Sequence, residues 1–236
     1  MTDPTHSIAE PLNALLERAG MDALDCGTAE RFSVYFDLLV RWNERMNLTA
    51  IRDQEGILSR HFVESIACAR VLPVGVKTAL DFGSGAGFPG IPIALCRPEI
   101  AVTLAESQGK KAAFLREAVR VVGFEAVVHA GRAEELPAAF ECVVLRAVDR
   151  MQDAVREGLK LVSPGGWIVL MTSEAEMQKL PEFAGDSAFR IEKQTLPGSE
   201  RRLIAKIRVP GNSGSAVVEA CGEGAAETRI SVPRGT

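Results

Sequence analysis

Residues 80–90 read Leu-Asp-Phe-Gly-Ser-Gly-Ala-Gly-Phe-Pro-Gly, and this glycine-rich stretch decides the fold. It overlaps the end of an apolar run, Thr78–Phe82, that is typical of a buried strand, and it precedes a predicted helix containing Ile91–Leu95. Glycines at such a turn let the backbone bend sharply and approach a ligand that a Cβ atom would exclude. The stretch therefore predicts a nucleotide-type pocket on an α/β fold.

Short apolar runs alternate with helical patterns downstream of this turn. The predicted strands are Thr78–Phe82, Ala101–Ala105, Ala126–His129, Cys142–Ala147 and Trp167–Met171. The intervening helices include Lys110–Val122, ended by Gly123, and Met151–Val162, ended by Ser163-Pro164-Gly165-Gly166. This alternation predicts a parallel sheet covered by helices. Two further runs around Pro197-Gly198, Phe189–Thr195 and Arg202–Val209, predict an antiparallel pair that completes a mostly parallel seven-stranded sheet.

The residues before the first strand have helical periodicity instead. Apolar residues recur at intervals of three and four residues in Ile8–Leu16, in Ala29–Met46 and around Ile57–Val71. We expect an N-terminal helical cap at residues 1–73 and a core domain at residues 74–209. Residues 210–236 are rich in Gly, Ala, Ser and Glu without periodicity, and we expect a disordered tail there.

Bulk composition limits the class of protein. No apolar run among the 236 residues is long enough to span a bilayer, and no signal peptide is evident, so we expect a cytoplasmic monomer. The five cysteines form no C-x-x-C pair, which argues against zinc and disulfides. A net charge of −4 argues against nonspecific coating of nucleic acid, although residues 107–120 and 190–208 are locally basic. These basic runs are either solvated faces or RNA-facing surfaces.

A second element of the pocket is Glu106, which ends the second predicted strand 23 residues after Gly83. At this position a carboxylate can accept hydrogen bonds from both ribose hydroxyls of an adenosine. Taken alone, the glycines could form only a tight turn and Glu106 could be a surface acid. Their joint placement at the carboxyl ends of neighbouring strands favours a nucleoside cofactor.

The choice of cofactor rests on the details of the turn. Gly85-x-Gly87-x-x-Gly90 matches the dinucleotide pattern, so an NAD-type oxidoreductase is an alternative. That class would need a catalytic His, Cys or Tyr-Lys pair near strands four and five, and none is evident. Asp81 at the strand end, Gly83 directly after Phe82 and the Ser163–Trp167 turn instead resemble the class I methyltransferase signature, which implies a Rossmann-like fold and S-adenosylmethionine (AdoMet).

Several separated motifs, in order from about Leu39 to Val209, resemble the RsmG (GidB) family of small-subunit ribosomal RNA methyltransferases. They are Asn47-Leu48-Thr49, Arg60-His61 with Ser65, Asp81–Gly90 with Ile91-Pro92, Ser107 with Lys110-Lys111 and Phe114-Leu115, Arg132–Glu135, and Arg146-Ala147. The resemblance implies AdoMet-dependent methylation of guanine N7 in the 530 loop of 16S ribosomal RNA, with naked RNA or the small subunit as partner. A nucleoside- or RNA-binding module without catalysis is a further alternative.

The resemblance also assigns site residues. It places Gly83, Phe88, Ala133, Glu134 and Arg146 at the AdoMet site, beside Gly85 and Glu106 from the turn and the second strand. Two departures stand out. Met171-Thr172-Ser173 occupies the place of a Lys-Gly pair found in many relatives, and Glu200-Arg201-Arg202 replaces Glu-Arg-His.

Methylation at N7 needs no general base, because this nitrogen already carries an in-plane lone pair, so positioning dominates. We expect Arg146 to contact the substrate or the cofactor; the alternative is a salt bridge with an acid such as Glu134. Asn47 is a candidate for contacting the guanine or the cofactor, or simply ends the long helix. His61 contacts RNA or packs at a helix junction, and Trp42 and Phe88 stack on a base or belong to the core.

Overall fold

The computed structural model describes residues 7–137, 139–147, 150–180 and 189–211. The helices are α1 (Ala9–Arg18), α2 (Cys26–Met46), α3 (Gln54–Gly56), α4 (Glu64–Val71), α5 (Gly90–Cys96), α6 (Gly109–Val122), α7 (Met151–Leu161) and α8 (Glu174–Met177). A π-helical segment, Ile57–Val63, leads into α4, and Ala133–Glu135 form a 3₁₀ turn. The strands are β1 (Thr78–Phe82), β2 (Ala101–Ala105), β3 (Val127–His129), β4 (Phe140–Arg146), β5 (Val162–Ser173), β6 (Arg190–Thr195) and β7 (Arg202–Arg208).

The seven strands form one sheet in the order β3-β2-β1-β4-β5-β7-β6. Strands β1 to β5 are parallel, and β7 pairs antiparallel with both β5 and β6. The predicted Rossmann-like, mostly parallel sheet is confirmed. Because β1 lies between β2 and β4, the chain reverses its winding direction there, and ligands bind at such a point beyond the carboxyl ends of the strands.

The N-terminal helices pack on one face of the sheet. Their apolar side chains form a continuous cluster with α5, α6 and residues of β2 such as Val102 and Leu104. Tyr35 of α2 is fully buried there and stacks on Phe62 at 5.3 Å between ring centroids. Its hydroxyl donates to the carbonyl of Ala86 at 2.6 Å, which joins the cap directly to the glycine-rich turn. The division of the chain at residue 73 remains an expectation.

Strand β5 differs from the prediction, because it begins at Val162 rather than at Trp167. Val162 pairs with Phe140 of β4, and the register shifts before Cys142. Gly165, with φ of +73°, absorbs this irregularity inside the strand, so residues that predicted a turn form a bulged extension of the sheet. Most of the predicted tail, residues 212–236, lies outside the described residues, as do residues 181–188. In the described ranges no helix is long and apolar enough to cross a membrane.

The turn after β1 is held by a buried acid. Oδ2 of Asp81 accepts a hydrogen bond from the backbone N–H of Gly90, the first residue of α5, at 3.0 Å. Gly83, Gly85 and Gly87 all have positive φ, between +58° and +93°, in the region that a Cβ atom disfavours. A Cβ on Gly90 would lie 2.8 Å from Cβ of Asp81 and closer still to Cδ2 of Leu104. The first residue of α5 therefore lies so close to β1 and β2 that a side chain does not fit there without a shift of its neighbours.

We expect Gly90→Ala to lower the free energy of unfolding by about 1–3 kcal/mol, the usual cost of overpacking. Gly109→Ala is the matched control: this glycine also begins a helix, α6, but its added Cβ would meet no atom within 4 Å. Urea denaturation of both variants measures the difference. Equal stability of the two variants would show that the α5 contact does not constrain the turn.

Candidate functional site

Three connected cavities lie at the carboxyl ends of the strands. The loop cavity, about 360 Å³, is lined by Gly83, Gly85, Phe88, Glu106 and Arg146 together with Leu48, Thr49, His61, Ser107 and Lys111. The outer cavity, about 700 Å³, shares Gly83 with it and adds Ala133 and Glu134. The cap cleft, about 930 Å³, shares His61, Arg146 and Ala147 with the loop cavity. All predicted cofactor residues thus line the loop cavity or the outer cavity.

Glu106 is buried, with 6% of its surface exposed, so it is not a surface acid. Its Oε2 accepts from the backbone N–H of Gly85 at 2.9 Å, and its Oε1 accepts from that of Gln108 at 2.8 Å. These bonds fix the carboxylate between the glycine-rich turn and the start of α6. Each carboxylate oxygen has a further lone pair, so Glu106 can also accept two hydroxyl donors from a ligand.

His61 is packed against Phe88, with parallel rings 4.8 Å apart. Its Nδ1 lies 3.2 Å from a guanidinium N–H of Arg146, and its Nε2 lies 2.7 Å from Oγ1 of Thr49. Because arginine is only a donor, Nδ1 accepts and Nε2 donates. Burial, and then the charges of Arg146 and Arg60, lower the pKa of His61 to about 3. The ring is therefore neutral and packed at a helix junction, although it also lines the cap cleft.

Arg146 ends β4, with 12% of its side chain exposed. It donates to Oγ of Ser65 at 2.8 Å and to the carbonyls of Arg60 and His61, and it pairs with Oε2 of Glu64 at 3.4 Å. Burial lowers the pKa of its guanidinium to about 10, so it remains charged at neutral pH. It thereby ties the end of β4 to the cap.

Glu134, the acid considered from sequence as a partner for Arg146, pairs with Arg132 at 2.8 Å instead. Arg146 does form a salt bridge with an acid, as the alternative interpretation expected, but Glu134 as its partner is wrong. The acid that Arg146 contacts is Glu64, 82 residues away in the chain, and no sequence motif indicated this pairing. The motif Arg60-His61 with Ser65 indicates that the segment around Glu64 is important. It does not indicate that this segment faces the end of β4.

Asn47 is the residue that ends α2, in the left-handed conformation with φ of +49°. Its exposed side chain accepts a hydrogen bond from Arg52. This geometry fits the helix-ending interpretation, and it directs the next residues, Leu48 and Thr49, toward the loop cavity. A catalytic role for Asn47 remains a prediction.

The two departures from the family pattern lie at the cap cleft. Met171, Thr172 and Ser173 line it from the end of β5, where the sequence resemblance led us to expect a Lys-Gly pair. Arg202 lines it from β7 and forms an ion pair with Glu64. No group of three or more candidate metal ligands occurs among residues that the structure describes.

Comparisons with known proteins show the family of the chain. The family model described as rRNA small subunit methyltransferase G matches residues 28–204. A ribosomal RNA small subunit methyltransferase G of Xanthomonas euvesicatoria is 39% identical over 208 residues, covering 84% of this chain and 96% of the relative. One of Stenotrophomonas maltophilia is 38% identical over 204 residues, covering 84% and 94%.

Among solved structures, a SAM-dependent O-methyltransferase of Thermotoga maritima superimposes with a TM-score of 0.53. It is 15% identical, and the match covers 72% of this chain and 71% of that one. At this identity the likeness concerns the fold alone. The extent of the family match, together with the two bacterial relatives, confirms the resemblance inferred from the sequence motifs: the chain belongs to the rRNA small subunit methyltransferase G family.

Proposed function

We propose that this protein is a cytoplasmic enzyme that transfers a methyl group from AdoMet to N7 of a guanine in the 530 loop of 16S ribosomal RNA. The observation that carries the proposal is the junction between the loop cavity and the cap cleft at Arg146 and Ala147. A nucleoside bound in the first cavity and a base entering from the second would meet at this point. The family membership supplies the RNA substrate.

The residues of the loop cavity fit AdoMet. A Cβ on Gly85 would meet no atom closer than the carbonyl oxygen of Gly83, at 3.9 Å, so the loop backbone is open to a ligand on that side. Glu106 offers the acceptors that ribose hydroxyls need. Phe88 supplies an apolar wall, and Ala133 with Glu134 extends the site into the outer cavity.

The start of α5 argues against a dinucleotide. An NAD-type enzyme places the cofactor's pyrophosphate on the N–H groups of this helix. Here the first of these groups, N–H of Gly90, already donates to Asp81. Asp81 would also repel a pyrophosphate when ionised, whereas it would attract a sulfonium. Burial raises the pKa of Asp81 to about 7, so a cationic ligand would favour its charged form.

When bound, AdoMet would supply a methyl carbon on a positively charged sulfur, and the sulfur would leave with the bonding electrons when N7 takes the methyl group. The chain has no proton to remove at N7, and its contribution is orientation. Glu106 would hold the ribose, and Phe88 would limit the space beside it. Arg146 acts as a positioning residue, because it holds the cap segment that forms the opposite wall of the junction. Asn47 contributes by ending α2 where Leu48 and Thr49 face the cavity.

We expect AdoMet to bind one-to-one in isothermal titration calorimetry and NAD and NADP not to bind. Glu106→Ala should weaken AdoMet by about 1–3 kcal/mol, because ribose hydroxyls would lose their acceptor and the Gly85 N–H its partner. Glu125→Ala, which removes an exposed acid beyond α6, is the control and should have no effect. Preferential NAD binding would overturn the cofactor assignment, and unchanged affinity in Glu106→Ala would remove this residue from the site.

Labelled AdoMet should transfer its methyl group to 16S RNA or small subunits that lack the modification, and not to large-subunit RNA. We expect Arg146→Ala to lose on the order of 100-fold in turnover, because misplacing the reacting groups by an ångström has such effects. Arg146→Lys should restore little, since one ammonium cannot replace the forked guanidinium donors.

Arg97→Ala is the matched control for Arg146. Arg97 also ties a segment to α4, through the carbonyls of Ala69 and Leu72, but at the end of the helix away from the cavities. It should lose stability and keep turnover. Near-normal turnover in Arg146→Lys would exclude the forked contact as essential, and near-normal turnover in Arg146→Ala would leave Arg146 only a structural role. A folded protein that binds AdoMet but methylates no RNA would favour the binding-module alternative.

A further inference from the structure

Three arginines converge on one buried carboxylate in the cap cleft. Glu64, at the start of α4, is only 3% exposed. Its Oε1 pairs with Arg202 and with Nε of Arg60 at 3.4 Å, and its Oε2 pairs with Arg146 at 3.4 Å. Three positive charges thus share one negative charge. Because the arginines come from the π-helical segment, β4 and β7, a single acid holds together parts of the chain that are distant in sequence.

The charge of this cluster is incompletely balanced. After burial itself, the positive charge of Arg60 contributes to lowering the pKa of Arg202, and it also lowers that of Arg146. Such mutual repulsion would be relieved by an added anion. The side chains of Arg60 and Arg202 are 51% and 27% exposed, whereas Arg146 is almost enclosed. An anion would therefore contact Arg60 and Arg202.

The position of the cluster specifies what the anion is. Arg60 and Arg202 line the cap cleft, and this cleft opens on the loop cavity at Arg146. Arg150 and Lys179 also line it, but each is paired with an acid of the same cleft, Asp153 and Glu176. A nucleotide whose base reached the junction from this side would have its backbone in the cleft. Guanidinium groups bind phosphate oxygens through paired donors, and here the ion pairs with Glu64 keep both guanidinium groups at the same side of the cleft.

We propose that Arg60 and Arg202 form a binding site for an RNA phosphodiester that flanks the methylated guanosine, with Glu64 as the residue that pre-orients them. The proposal rests on the proposed function, since it assumes that RNA occupies the cap cleft. It assigns a specific task to Arg202, which stands where the sequence resemblance led us to expect a histidine. Arg202 on this account determines RNA affinity, and AdoMet affinity is independent of it.

The test is filter binding of the full chain to 16S RNA that lacks the modification, over a range of salt concentrations. Arg202→Gln should weaken binding about tenfold, the loss of one charge-assisted contact. It should also reduce the slope of log affinity against log salt by about 0.7, the value for one phosphate on a single strand. Arg202→Lys should keep the slope. Arg208→Gln is the matched control, because Arg208 lies at the other end of β7 and packs over Trp167, away from the cleft.

A second readout separates the alternatives. AdoMet affinity, measured by calorimetry, should be the same in Arg202→Gln and the wild type. Weakened AdoMet binding with unchanged RNA binding would assign the cluster to the methionine carboxylate and overturn the proposal, and so would unchanged affinity for both ligands. If Arg202→Gln does not fold, Arg60→Gln carries the same expectation, because half of that side chain is exposed.

Two outcomes distinguish failure of the proposed function from failure of the phosphate site. In one outcome, Arg202→Gln lowers the salt slope of 16S RNA binding, but the wild-type protein transfers no methyl group. This result would contradict the proposed function and retain the phosphate site. In the other outcome, the wild-type protein methylates 16S RNA, but Arg202→Gln and Arg60→Gln bind this RNA with wild-type affinity and salt slope. This result would retain the proposed function and contradict the phosphate site.

Discussion

The site depends on the contacts that the guanidinium of Arg146 makes at the end of β4. Burying a cation costs several kcal/mol unless its donors are satisfied, and here they reach Ser65, Glu64 and two backbone carbonyls. Every one of these acceptors belongs to the π-helical segment or to the first turn of α4. The position of the cap relative to the strand ends is therefore set at Arg146, and both the loop cavity and the cap cleft have this residue in their walls.

Two further hydrogen bonds hold the glycine-rich turn in place. Asp81 holds the N-terminus of α5 against β1, and the hydroxyl of Tyr35 holds the glycine-rich turn against α2. Between these bonds and Arg146 lie the parallel rings of Phe88 and His61. The cap thus contributes walls to both the loop cavity and the cap cleft, and motifs that resemble the family accordingly occur both before and after the first strand.

Features that depend on local sequence patterns could be predicted from the sequence. Apolar runs and helix-ending residues located the sheet, and the glycine-rich turn with Glu106 located the loop cavity, because strand order brings the carboxyl ends of β1 and β2 together. Asn47 ends its helix as its conformational preference suggests. Glu64 could not be found, since its contacts with Arg146 and Arg202 join strands to the cap across 82 or more residues. The start of β5 was misplaced because glycine and proline predict a turn, whereas pairing with Phe140 extends the strand.

The central claim, that the junction at Arg146 presents a guanine N7 to the methyl donor, is tested most directly by locating the methyl group on the RNA. Small-subunit RNA treated with the protein and AdoMet can be reduced with borohydride and cleaved with aniline, which breaks the chain at 7-methylguanosine, and the break can be mapped by primer extension. We expect one new break, within the 530 loop, that requires both AdoMet and the protein. Methyl transfer without a break, or a break elsewhere in the RNA, would contradict the claim.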